Sequence, residues 1–205
     1  DTAAIQKALA AAGDAAPATL HFPAGTYVLN QPALSRDNVS WAGDGRDQTR
    51  IQPGLTFNAD HANAPMIFCM NAQAVRGRIE FRDITFAWNP KNANRGDYDH
   101  LLFNLNGQDT IKVTRCRFIS KGRVGNTCFF ASHMQVTDCE FIGDGIFFAS
   151  GTQVRATGNR FHLTDYSHAA ISSRSGTEVD INHNTAQENP GIDSGLLQLT
   201  YVFGR

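Results

Sequence analysis

The sequence predicts an all-β solenoid, and three observations predict it. First, a unit repeats. IKVTRCRF (111–118), MQVTDCEF (134–141) and TQVRATGNRF (152–161) share an apolar residue (Val113, Val136 or Val154), then Cys116, Cys139 or the Gly158-Asn159 pair, then Phe118, Phe141 or Phe161. An earlier copy, IEFRDITF (79–86), ends in Phe86, and a fainter later one carries Val179, Ile181 and Asn184. Second, the phenylalanines from Phe86 through Phe118 and Phe141 to Phe161 fall 32, 23 and 20 residues apart, periods that belong to stacked, quasi-one-dimensional folds. Third, another apolar run recurs between those units: HLLFNL (100–105), TCFFAS (127–132), GIFFAS (145–150) and HAAISS (168–173). Two short runs of β-branched and aromatic residues per period, separated by Gly, Asn, Asp and Ser, read as strands. Each repeat is then one turn of a solenoid.

The elements follow in order. DTAAIQKALAAAG (1–13) predicts a short helix with Asp1 or Thr2 as N-cap, Ile5, Ala8, Leu9 and Ala12 on one face, and Gly13 as its stop. A solenoid end leaves an open core, so residues 1–17 are expected to form its cap. Coils then occupy 18–205. Strands are expected at Leu20–Phe22 and Tyr27–Leu29 around the Pro23-Ala24-Gly25 turn, at Val39–Trp41 and near Ile51 around Gly43-Asp44-Gly45, and at MIFCM (66–70). AWNPKNANRGDYD (87–99) is the longest polar insertion and explains the 32-residue interval. GLLQLTYVFGR (195–205) opens another strand with no polar finish, so the coils are expected to continue in a larger protein or to pack on a partner.

Composition excludes several classes. The 205 residues carry 18 basic and 19 acidic side chains, and a net charge of −1 gives no electrostatic case for nucleic acid or an anionic membrane. No apolar run approaches the ~20 residues that a membrane span needs. The four cysteines form no C-x-x-C pair and have no His at ligand spacing. Cys116 and Cys139 hold one repeat position, which predicts neighbours in an inward-facing ladder. Strands ~4.8 Å apart would permit a disulfide between them, but buried free thiols acting as small hydrophobes are the preferred reading.

A resemblance adds to this. Asp1-Thr2-Ala3-Ala4-Ile5-Gln6, then His21-Phe22-Pro23-Ala24-Gly25-Thr26-Tyr27, then Asn38-Val39 with Gly43 and Gly45, resembles the entry region of the pectate-lyase-like right-handed parallel β-helix superfamily, which includes polysaccharide lyases, epimerases and phage tail spikes. The resemblance is close over residues 1–54 and continues as a looser coil pattern to about residue 200. It implies a right-handed parallel β-helix with a short N-terminal capping helix. The catalytic motif sets of polygalacturonases and mannuronan epimerases are not found, so no catalytic residue and no cofactor is carried over.

Chemistry is expected where the repeat is broken. Asp97-Tyr98-Asp99-His100 and Asp165-Tyr166-Ser167-His168 match each other, and both precede the second strand of a repeat. Three rungs of ~4.8 Å would separate His100 from His168 by roughly 14 Å, a span suited to several sugar units. The loops between hold Lys121, Arg123 and Asn126 in one coil and Asp144 in the next. Cleaving a uronic-acid glycoside by β-elimination needs a cation on the carboxylate, a base for the carbon-bound proton and an acid for the leaving oxygen. Tyr98, His100, Lys121, Arg123, Tyr166 and His168 offer those roles. The structural alternative is that Asp and Tyr form turns and His caps a strand.

Hydrolysis instead needs two carboxylates ~5–10 Å apart. Asp144 with Asp165, or Glu188 with Asp193, could supply them, although solvated turn acids are the ordinary state of all four. Trp88 and Trp41 are candidate sugar platforms, Trp88 preferred because it opens the long loop; Asn126 is expected to bind substrate. The constant repeat position of Phe86, Phe118, Phe141 and Phe161 marks them as core. No cofactor is expected and no metal ligand set is found; Ca²⁺ has no dense acidic cluster to hold it. The expected partner is a polysaccharide, at an extracellular, cell-surface or virion-tail location. The competing class is a tail-spike or adhesin segment that binds glycan or is purely structural, a homotrimer if it is a spike.

Overall fold

A computed structural model of the chain describes residues 1–12, 17–54, 57, 66–70, 77–87, 103–119, 127–143, 146–150, 153–163, 169–173, 178–188 and 195–199. Helix α1 (Thr2–Ala12) comes first. It is followed by β1 (Ala18–Phe22), β2 (Gly25–Leu29), β3 (Ala33–Leu34), β4 (Val39–Gly43), β5 (Thr49–Pro53) and β6 (Ile67–Met70). Next come β7 (Arg78–Arg82), β8 (Thr85–Ala87), β9 (Phe103–Thr114), β10 (Arg117–Ile119), β11 (Thr127–Thr137), β12 (Glu140–Gly143) and β13 (Ile146–Ser150). The last are β14 (Gln153–Thr157), β15 (Arg160–Leu163), β16 (Ala169–Ser173), β17 (Glu178–Asn182), β18 (Thr185–Glu188) and β19 (Gly195–Leu199).

The strands stack in parallel on three faces of a β-solenoid. Face one joins β1, β4, β7, the second half of β9, the second half of β11, β14 and β17. Face two is a seven-stranded sheet in the order β18-β15-β12-β10-β8-β5-β2. Face three joins β3, β6, the first half of β9, the first half of β11, β13, β16 and β19. Three strands per coil replace the two expected. The difference lies inside the repeated unit: IKVTRCRF is not one strand but two, bent at Arg115-Cys116, while the two apolar runs flanking 109 fuse into the single strand β9.

That bend has a constant geometry. From β7 onward, the residue after each face-one strand is left-handed: Asp83 at φ 61°, Arg115 at 50°, Asp138 at 55°, Gly158 at 69° and His183 at 54°. One such residue turns the chain onto face two without breaking the ladder, because its N–H still reaches the next coil, as Arg115 N does to Thr137 O at 3.0 Å. The inward residue that follows forms its own column: Ile84, Cys116, Cys139, Asn159 and Asn184. Cys116 and Cys139 are buried and free. The register also corrects the repeat frame, since Met134 pairs with Val154 and Val136 with Ala156. Ala156, three residues before Asn159, is therefore the equivalent of Val113 and Val136.

The core runs the length of the stack. Phe86, Phe118, Phe141 and Phe161 lie in register, with ring centroids 5.6, 4.9 and 4.8 Å apart and nearly parallel planes. On face one, Leu20, Trp41, Phe81, Val113 and Val136 form the inward column. Trp41 is thus wholly buried, stacks on Phe22 and donates its indole N–H to Ser35 Oγ at 3.0 Å, so it is no sugar platform. The alternation Val39-Ser40-Trp41 points it inward with Val39.

Helix α1 packs on β1 and β3 and sends Ile5 and Leu9 into the core, as an amphipathic lid should. Its first residues do something other than cap their own helix. Asp1 Oδ2 accepts Val28 N, and Thr2 Oγ1 accepts Asn30 N, both at 2.8 Å. These side chains satisfy donors on the exposed edge of β2 and at Asn30 just after it, where an unpaired strand would otherwise invite another chain.

Candidate functional site

None of the ten residues assigned a catalytic or substrate-binding role from sequence is in a described segment. Trp88, Tyr98, His100, Lys121, Arg123, Asn126, Asp144, Asp165, Tyr166 and His168 lie outside the described residues, as do Asp193 and the side chain of Glu188. The strands that follow those segments are described. On face three, Asn104 pairs with Cys128, Cys128 with Phe147, and Phe147 with Ser172, a column of four successive strands. His100 precedes the first member of that column by four residues, and His168 precedes the last by four.

Three clusters of ionisable groups on the described surface hold a carboxyl with a displaced pKa. At the bend between faces one and two, Arg115 grips Asp83 with two parallel hydrogen bonds, Nε to Oδ1 at 2.7 Å and Nη2 to Oδ2 at 2.8 Å. Arg82 adds a third contact at 3.6 Å. The Arg115 hydrogen bond holds the Asp83 carboxyl below the usual range and in return raises the guanidinium. On face two, Arg117 lies between Glu140 on the next coil and Asp47, whose Oδ1 is 2.7 Å from Nη1, and His162 approaches Glu140 at 3.4 Å. Burial pushes the Glu140 carboxyl up, but the hydrogen bond and charge of Arg117 outweigh it and leave the group low. Near the helical end, His21 Nε2 meets Asp44 Oδ1 at 2.7 Å while Asp44 Oδ2 accepts Ala24 N, and the His21 hydrogen bond lowers Asp44.

These clusters share a chemical character. A general acid for glycoside cleavage is a carboxyl whose pKa is raised so that it holds its proton. Asp44, Asp83 and Glu140 are all displaced the other way, toward the ionised form. They act as fixed anions, Asp83 and Glu140 paired with arginines on neighbouring coils and Asp44 hydrogen-bonded by His21 and Ala24 N. Face one repeats the device with Glu80 and Lys112 at 3.7 Å and Arg155 and Asp180 at 2.9 Å. Sequence reasoning passed over the Arg117–Glu140 pair, though the signal was present: the residues after Cys116 and Cys139 hold one repeat position with opposite charges.

Among the described residues no group of three or more His, Cys, Asp or Glu side chains is placed to hold a metal ion. No described helix is long and apolar enough to cross a membrane. The thiol of Cys116 is pushed well up by burial beside Cys139, which leaves it a packing group rather than a nucleophile.

A parallel β-solenoid closed by an N-terminal helix, with internal Phe, Cys and Asn columns, defines a β-helix of the pectate-lyase-like class. The sequence matches the rhamnogalacturonase A/epimerase, pectate lyase-like family over residues 1–193, and the chain belongs to that family. The fold of that family is, in general terms, a polysaccharide-active one. Comparison with curated proteins and with solved structures returned no match.

Proposed function

We propose that this chain binds and cleaves an acidic polysaccharide, with the polymer lying across the loops that enter face three. One observation carries the reading: His100 and His168, each within an Asp-Tyr-x-His sequence, stand at the same offset of four residues from the two ends of the Asn104–Ser172 column. Three rungs at ~4.8 Å give roughly 14 Å between equivalent positions, room for an oligosaccharide rather than a single proton-transfer pair. Lys121, Arg123 and Asn126 would face the sugar carboxylates from the loop between, with Trp88 as a platform. Family membership supports the substrate class.

Of the two cleavage chemistries, β-elimination is favoured. Its base and acid can be Tyr, His or Lys beside a cation, and the doubled Asp-Tyr-x-His sequence with Lys121 and Arg123 between supplies those residue types. The test is incubation with a panel of uronic-acid polymers, read for the ultraviolet absorbance of an unsaturated product and for new reducing ends. Both signals together mean a lyase. Reducing ends alone mean a hydrolase acting through Asp144 and Asp165 or Glu188 and Asp193. Neither signal on any polymer refutes the catalytic reading.

A second reading has its own support. The charged clusters among the described residues tie coil to coil, which suits a rigid tail-spike or adhesin segment that binds glycan or only supports an assembly. A homotrimer at a virion tail or cell surface would accompany that role. Light scattering would read the trimer, and glycan binding without cleavage would favour this reading over the first.

A further inference from the structure

We infer that the Asp44–Gln48 loop is a longitudinal strap that joins non-adjacent coils into one cooperative unit. In a solenoid each coil ordinarily touches only its neighbours, so stability is a sum of nearest-neighbour terms and coils can open one by one. At the later bends, two residues carry the chain from face one to face two, as Arg115 and Cys116 do between β9 and β10. Between β4 and β5 there are five, Asp44 to Gln48, and they run along the stack.

The loop is fixed at its root and then reaches outward. Gln48 N and Thr49 N both donate to Gly45 O, at 2.9 and 2.8 Å, and Asp44 N donates to Thr49 Oγ1 at 3.0 Å. Toward the helical end, Asp44 holds His21 and Ala24 N of the preceding coil. In the other direction Gly45 N donates to Asp83 O at 3.2 Å, and Thr85 Oγ1 donates to Arg46 O, both on the next coil. Asp47 pairs with Arg117 at 2.7 Å, two coils on. Arg46 Nη1 donates to Asp138 O at 3.1 Å, three coils on. One short loop thereby contacts the coil behind it and three coils ahead.

Close backbone approach fits the same role. A Cβ at Gly43 would stand 2.4 Å from Asp83 O and 2.9 Å from Ile84 Cγ1, so the next bend seats directly against the strap's root. The Asp47 side chain is 74% exposed, so its contact adds little buried area. Its importance lies in which coils it joins.

Native-state hydrogen exchange in mild denaturant, read strand by strand, tests this. In the wild-type chain β5, β10 and β12 are expected to exchange through one opening, with rates agreeing within about twofold. In Arg46→Ala/Asp47→Ala those strands should separate, β5 and β12 differing by about tenfold or more. Arg155→Ala, which breaks a pair between adjacent coils only, should leave β5, β10 and β12 together. Asp47→Asn removes one charge and keeps the shape of the loop; it should separate β10 from β5 by about threefold even if the double variant does not fold. Strands that remain locked together in these variants, that lose protection uniformly, or that already exchange independently in the wild type would overturn the strap.

Discussion

Asn159 lends its side-chain carbonyl to the backbone N–H of Cys139 one coil earlier at 2.9 Å, and receives the same service from Asn184 at 2.9 Å. Its Nδ2 also donates to Val136 O at 3.0 Å. The bend residue is left-handed, so the following N–H points inward, away from the strand ladder, and needs an internal acceptor. Asn159→Ala would leave Cys139 N–H and Val136 C=O buried without these partners. Each orphan costs ~1–3 kcal/mol, so a total loss of about 2–6 kcal/mol is expected. The urea unfolding midpoint measures it, and a loss below about 1 kcal/mol would mean the ladder is dispensable.

Phe141 sits between Phe118 and Phe161 in the stacked column, with planes 11° from each. Truncation opens a cavity that rigid neighbouring strands cannot close. Phe141→Ala is expected to cost about 3–5 kcal/mol, and Phe141→Leu about 1–2 kcal/mol. Equal losses for both in equilibrium unfolding would show that ring stacking, rather than volume, dominates the column.

These two columns also show what the sequence made legible. Phe and Cys recur because coils stack in register at ~4.8 Å, so an inward position sees the same environment in every coil. That regularity is visible as a repeat. The bend was not, because its backbone requirement is met by Asp, Arg, Gly and His in turn, residues with no common side-chain chemistry. Trp41 reads as a candidate sugar platform because it lies outside the phenylalanine repeat, yet its alternation with Val39 puts it inside. Of the candidate site, the sequence shows the doubled Asp-Tyr-x-His pattern because it breaks the repeat; what those loops do in space depends on connections whose lengths vary from coil to coil.

Gly158 is the one glycine among the five left-handed bend residues after β7, β9, β11, β14 and β17, and its reason is steric. At φ 69° with a built Cβ only 2.5 Å from Asp138 Oδ1, it meets both a conformational and a contact penalty. Gly158→Ala should cost about 2–3 kcal/mol, of which ~1–2 kcal/mol is the left-handed backbone. In an Asp138→Gly background the contact disappears and only the backbone part should remain. Thermal or urea unfolding of the four proteins forms the cycle, and full additivity would deny the contact.

Acid should unfold the chain through its arginine-held carboxylates. Asp83 and Glu140 both have folded pKa values below their unfolded ones, about 3.9 for Asp and 4.3 for Glu. A depressed carboxylate contributes stability that is complete above the unfolded pKa and is lost as pH falls through the folded value. Stability from these groups is therefore expected to be flat from pH 7 to about 5 and to decline below about 4. Arg117→Ala, and Arg115→Asn at its left-handed position, should each flatten that decline. Urea midpoints across pH 3 to 7 check it; parallel profiles for wild type and variants would place the acid sensitivity elsewhere.

The last expectation concerns the site and is independent of the fold. If His100 and His168 bracket a polymer bound across successive coils, each contributes to one part of a shared path, and each should affect cleavage without affecting stability. His100→Ala and His168→Ala are expected to lower the rate on a long uronic-acid polymer at least tenfold each, equivalent to ~1.4 kcal/mol of transition-state stabilisation. With three rungs between them, a group that acts directly in bond cleavage should lower kcat on short and long substrates alike. A group that only holds the distant end should raise KM on long chains and leave short ones unchanged. Kinetics on a size series of oligosaccharides distinguishes the two, with unfolding midpoints unchanged from wild type as the control. Full activity of both variants on every length would remove the histidines from the site.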